Sequence, residues 1–191
     1  MAGRCVVRVT AYSRRGDMYR DVASDMTAMK AALGYANYAV AVWLCGESRM
    51  KRLNWRYRRI RKSTDVLSFG FAEVQRHAQY CLGGSECSAS EASRLAAGEQ
   101  ELVDVSEGAH GGASEKDAVD LELGELVVSV PRCEHDARTL GVSSAQHMRS
   151  LLAHGLCHLM GHDHESDAEH VRMRECEARA LDAIGACSTV G

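Results

Sequence analysis

The pattern of apolar and polar positions divides the chain into short elements. Cys5 to Ala11 alternates, which predicts a strand. From Asp17 to Leu33, apolar residues at Met18, Val22, Met26, Met29 and Leu33 recur at helical spacing, and Gly34 closes the helix. Tyr38 to Cys45 is continuously apolar and predicts a strand buried on both faces. Glu47 to Tyr57 predicts a second helix. Thr64 to Phe71 predicts a strand with Leu67, Phe69 and Phe71 on one side and Val66, Ser68 and Gly70 on the other. Leu121 to Val130 predicts a further strand. Pro131 then opens a helix at its first turn, and Gly141 ends it. Ser143 and Gln146 have capping-box spacing, so the next helix starts near Ser144, with Met148, Leu151, Leu152, Leu156 and Leu159 as its buried stripe. A last helix is expected from Ser166 to Ile184, with Val171, Ala178 and Leu181 facing inward.

This order predicts an α/β (α+β) fold, a single mixed sheet of about four strands with a helical layer. At 191 residues the chain is expected to form one domain over 1–191 and to bury a core without staples. One stretch breaks the pattern. Residues 83–120 are rich in Gly, Ser and Ala and hold nine acidic residues against two basic ones, with little periodicity. Such a segment buries too little apolar surface to offset its ordering entropy, so it reads as a disordered acidic insertion that could shield a basic face.

The basic face lies just upstream. Between Ser48 and Ser63 stand eight Arg or Lys residues and no acid, with Trp55 and Tyr57 among them. Most such runs are solvated surface, but basic residues interleaved with aromatics also suit single-stranded nucleic acid. The eight cysteines form no CxxC pair. There is no signal-peptide pattern and no apolar run long enough to span a bilayer, so the expectation is a cytoplasmic protein with reduced thiols and no membrane partner.

The densest chemistry falls between His154 and His164. His154 and His158 are four apart, so on a helix both imidazoles project from one face and can reach one metal ion. Gly161 can take the left-handed conformation that ends the helix, after which His164, or His162, can supply a third nitrogen. Three nitrogens leave a fourth tetrahedral position for water. The spacing equals that of the HExxHxxGxxH zinc proteases, but their general-base glutamate is here Gly155, which cannot accept a proton, so peptide hydrolysis is disfavoured.

His154-Gly155-Leu156-Cys157-His158-Leu159-Met160-Gly161-His162-Asp163-His164 resembles the HGxLHLxGYDH signature of the YbeY family, metal-dependent endoribonucleases of ribosomal RNA maturation. Leu53-Asn54-Trp55-Arg56-Tyr57-Arg58 with Ser63-Thr64-Asp65-Val66-Leu67-Ser68-Phe69 resembles the family's LNxxYR and PTDVLSFPF segments, and Leu123 to Ser129 its LGDIVIS strand. The resemblance implies one Zn2+ held by His154, His158 and His164, with Arg58 facing the substrate groove beside it. It also implies cleavage of single-stranded RNA in small-subunit rRNA 3′-end maturation and ribosome quality control, with rRNA, the small ribosomal subunit and possible ribosome-associated proteins as partners. The chain departs from the family at His162 for tyrosine, Cys157 for leucine, and Ser63 and Gly70 for the flanking prolines. Cys157 lies about 100° around the helix from His158 and reads as packing. Asp163 reads as a group that could orient an imidazole. A rival reading is an assembly factor with a structural metal and an RNA-binding face that does not cut. It rests on the absence of any evident general base.

Overall fold

The computed structural model describes residues 7–11, 21–70, 121–163 and 166–185. Among them the elements run β1 (Val7–Ala11), α1 (Val22–Ala32), β2 (Ala39–Cys45), α2 (Glu47–Arg58), β3 (Val66–Gly70), β4 (Glu122–Ser129), α3 (Val130–Leu140), α4 (Ser144–Leu159) and α5 (Asp167–Asp182). The four strands form one sheet in the order β1-β2-β4-β3. β1, β2 and β4 are parallel, and β3 runs antiparallel to β4 along the edge. The expected mixed sheet with a helical layer is therefore present. The acidic segment 83–120 lies outside the described residues, as do the expected starts of the first strand and first helix.

Alternation in the strands separates two cores. Val40, Val42 and Leu44 of β2 and Leu126 and Val128 of β4 face a layer made by α1, α4 and α5, where Met26, Met29, Leu152 and Leu156 are fully buried. On the opposite face, Cys45, Leu67, Phe69 and Val127 meet Met50, Leu53 and Tyr57 of α2. The expectation that β2 is buried on both faces holds for one face only. Ala39, Ala41 and Trp43 are half-buried, because α2 covers the neighbouring Leu67–Phe69 region and leaves part of that side of β2 open. In β3 the buried side is Leu67 and Phe69, as the alternation implied.

α5 corrects a second expectation. Val171 is 55% exposed and Ala178 is also exposed, while the inward stripe is Met173, Cys176 and Ala180. These three are spaced three and four apart on one helical face. A sparse apolar pattern among many charges concealed that face, in part because a cysteine and an alanine supply two of its positions.

Two local features fix the frame around α4. Gly124 has φ +137, and a Cβ there would lie 2.1 Å from the Phe69 carbonyl oxygen, so the β3–β4 pairing at this point admits only glycine. Ser143 and Gln146 form the expected capping box, with Gln146 N donating to Ser143 Oγ at 3.1 Å.

A candidate metal centre on the fourth helix

α4 carries its apolar stripe as expected: Met148, Leu151, Leu152, Leu156 and Leu159 are buried, and His154 and His158 stand half-buried beside them. One turn apart, the two rings lie nearly perpendicular with centroids 4.6 Å apart. Their Nε2 atoms are separated by 3.1 Å.

The opposite nitrogen of each ring is committed. His154 Nδ1 donates to Glu177 Oε1 of α5 at 2.6 Å, and His158 Nδ1 donates to the His162 carbonyl at 3.0 Å. A neutral imidazole carries one proton, so with both Nδ1 atoms donating, both Nε2 atoms present lone pairs to each other. Two such lone pairs repel unless a cation lies between them. Two nitrogens ~2.0–2.1 Å from one zinc at the tetrahedral angle stand ~3.3 Å apart, close to the separation found here. The pair therefore fits two ligands of one zinc ion.

The His162 carbonyl is placed by the end of the helix. Gly161 takes φ +87, its N–H bonds to the His158 carbonyl at 3.0 Å, and the N–H of His162 bonds back to Cys157 at 3.1 Å. This is a Schellman ending, for which glycine is the residue without Cβ strain. It folds the backbone of residue 162 against His158.

Among the described residues, no group of three or more His, Cys, Asp or Glu is arranged to hold a metal. The side chains of His162 and Cys157 therefore do not complete a ligand set with the histidine pair. Cys157 is fully buried in the core, as its helical angle implied, and its thiol is pushed up by a hydrogen bond with Cys176 and by burial. His164 lies outside the described residues.

Sequence reasoning missed Glu177. Glu177 Oε1 and the His162 carbonyl hold the two Nδ1 atoms. Glu177 is 23 positions from its partner, and only the packing of α5 on α4 brings them together. Its one trace in the sequence is the capping box Ser166–Glu169, which sets where α5 begins and hence which way position 177 faces.

Gly155, which occupies the general-base position of the zinc proteases, faces the sheet. A Cβ there would lie 2.8 Å from Leu126 Cδ2 and 3.5 Å from Val66 Cγ2. A glutamate at this position would enter the core, so the geometry excludes that kind of general base for reasons beyond the missing carboxylate.

Arg58 is the last residue of α2 and is exposed. α2 and α4 pack on opposite faces of the sheet. The segment after Arg58 enters β3 through Asp65, whose Oδ1 accepts from Thr64 Oγ1 and Val66 N, both at 2.9 Å. Its carbonyl accepts from Ser129 N at 2.7 Å, joining the segment to the end of β4.

A four-stranded mixed sheet flanked by helices, with two histidines one turn apart on α4, defines an α/β protein. The family model described as Endoribonuclease YbeY matches residues 13–185, and the chain belongs to that family. The Endoribonuclease YbeY of Synechocystis is 29% identical over 150 residues, spanning 78% of this chain and 65% of that protein. The one of Caldicellulosiruptor saccharolyticus is 26% identical over 162 residues, spanning 85% of this chain and 83% of its own. The solution structure of TM1509 from Thermotoga maritima has a TM-score of 0.48 at 18% identity, over 97% of this chain and 99% of that one.

Proposed function

We propose that this chain is a zinc-dependent endoribonuclease of single-stranded RNA, acting on ribosomal RNA of the small subunit in its 3′-end maturation. The observation that carries the reading is the pair of facing Nε2 atoms 3.1 Å apart with both Nδ1 atoms committed as donors. His164 is the third ligand in this reading. It follows His162 by two residues, and two residues of chain reach at most ~7 Å. When bound, zinc supplies hydroxide near neutral pH and polarises a phosphoryl oxygen.

The chain's own residues do the rest. Glu177 holds the His154 ring in one orientation and keeps its proton on Nδ1, which leaves the Nε2 lone pair for a metal. The His162 carbonyl does the same for His158. In this reading Arg58, at the exposed end of α2, offers a planar fork of donors to a phosphate of the bound strand. The family's endoribonuclease activity and the run of eight basic residues without an acid support RNA as the substrate.

Metal analysis combined with cleavage of a single-stranded rRNA fragment tests this. Arg58→Ala should retain zinc and lose cleavage, whereas His158→Ala should lose both. Cleavage by metal-free His158→Ala protein would overturn the reading. A wild type that holds zinc and binds the fragment without cutting it would favour the assembly factor.

A further inference from the structure

We propose that Trp55, flanked by Arg59 and Arg61, is a stacking platform for one unpaired nucleobase of a single-stranded RNA. RNA as the ligand rests on the function proposed above; the stacking contact itself does not depend on cleavage. Trp55 lies on α2, the helix on the sheet face opposite the histidine pair.

The indole is 39% exposed, and Ile60 beside it in sequence is 49% exposed. The Arg61 guanidinium carbon stands 4.5 Å from the indole centroid, and that of Arg59 stands 5.8 Å away. Arg56 lies 5.8 Å from the Tyr57 ring. Three arginine–aromatic contacts thus fall between residues 55 and 61, two of them on the same indole. A base stacks on an indole as a guanidinium does, and each flat cation here can move onto a phosphate or cover the base from its far side.

The platform is held in shape by the backbone. Arg59 takes φ 61, the only left-handed non-glycine conformation among the described residues. Ile60 N–H bonds back to the Asn54 carbonyl at 3.4 Å, and the buried Asn54 donates Nδ2 to the Lys62 carbonyl at 2.7 Å. Asn54 thus folds the segment carrying Arg59 and Arg61 back over the helix end, beside Trp55. No carboxylate among the described residues pairs with Arg58, Arg59, Arg61 or Lys62, so their charge is available to a polyanion. A duplex keeps its bases stacked on one another, so an exposed indole of this kind selects unpaired strands.

The test uses the full chain and a short single-stranded 2′-O-methyl oligoribonucleotide, whose integrity is checked after each titration. Trp43→Phe leaves Trp55 as the sole tryptophan, because the chain has two. The oligonucleotide should quench its fluorescence, and the same sequence as a duplex should not. Trp55→Ala should weaken binding ~10-fold or more, and Trp55→Phe should keep most of the affinity. Arg59→Ala and Arg61→Ala should each lower the slope of log affinity against log salt by ~0.7, while Trp55→Ala leaves it unchanged. Unquenched Trp55 emission with oligonucleotide in excess, or wild-type affinity in Trp55→Ala, overturns the platform. His158→Ala separates the two proposals: quenching should persist in its Trp43→Phe background even though zinc and cleavage are lost.

Discussion

Glu177 shows how much one side chain can decide at a site it does not form. Its carboxylate, 2.6 Å from His154 Nδ1, sets which nitrogen carries the proton and aims the other. Glu177→Ala should lower zinc affinity ~10–100-fold, read by competition with a chromophoric chelator, and Glu177→Gln should lie between, since an amide oxygen still accepts the bond. Glu125 poses a different residue-scale question. Burial raises its carboxyl above the ordinary value, with a smaller contribution from Glu122. A raised folded-state value means that Glu125 favours the fold below its unfolded pKa and that this contribution is lost as pH rises through the folded value. Glu125→Gln should therefore stabilise the protein at neutral pH, with the gain vanishing towards acid; urea melts across the range check it. The histidine spacing and Gly161 were legible in the sequence because they depend on neighbours within one turn. Glu177 was not, because its role arises from two helices that meet 23 residues apart.

At the scale of elements, α4 could be read almost whole: its cap, its stripe and the turn that ends it are all local. α5 could not, because its buried positions, Met173, Cys176 and Ala180, include a small residue and a thiol that hydropathy weights little. The approach of α4 to the sheet depends on Gly155. Gly155→Ala gains ~1 kcal/mol in helix propensity but pushes against the buried Leu126, an overpacking cost of ~1–3 kcal/mol. The expected result is a lower Tm by thermal melt. Ser143→Ala removes one half of the capping box and should cost ~1 kcal/mol by the same measurement.

For the molecule as a whole, four strands and the mixed sheet were legible, because each strand announces itself by alternation or by a short apolar run. The strand order was not legible. β4 lies between β2 and β3, so the antiparallel pair β3–β4 is joined by the long acidic stretch, with Gly70 paired to Gly124 where the chain leaves and returns. Excising 83–120 shortens the connection between Gly70 and Glu122 from 51 residues to 13 without separating paired positions. Each halving of a loop recovers ~0.6 kcal/mol of closure entropy, so the excised protein should melt no lower than the parent. If the acidic stretch screens the basic face, the same protein should bind single-stranded RNA more tightly at low salt, and unchanged affinity in a filter-binding titration would remove that idea.

The helix ending at Gly161 puts the main chain of residue 162, and not its side chain, against His158. Residue 162 serves the histidine pair twice through its main chain, taking a bond to Cys157 with its N–H and holding the His158 ring with its carbonyl. Every amino acid except proline brings those two groups. Substitution of the His162 side chain should therefore leave both main-chain contacts, and with them the orientation of the His158 ring, in place.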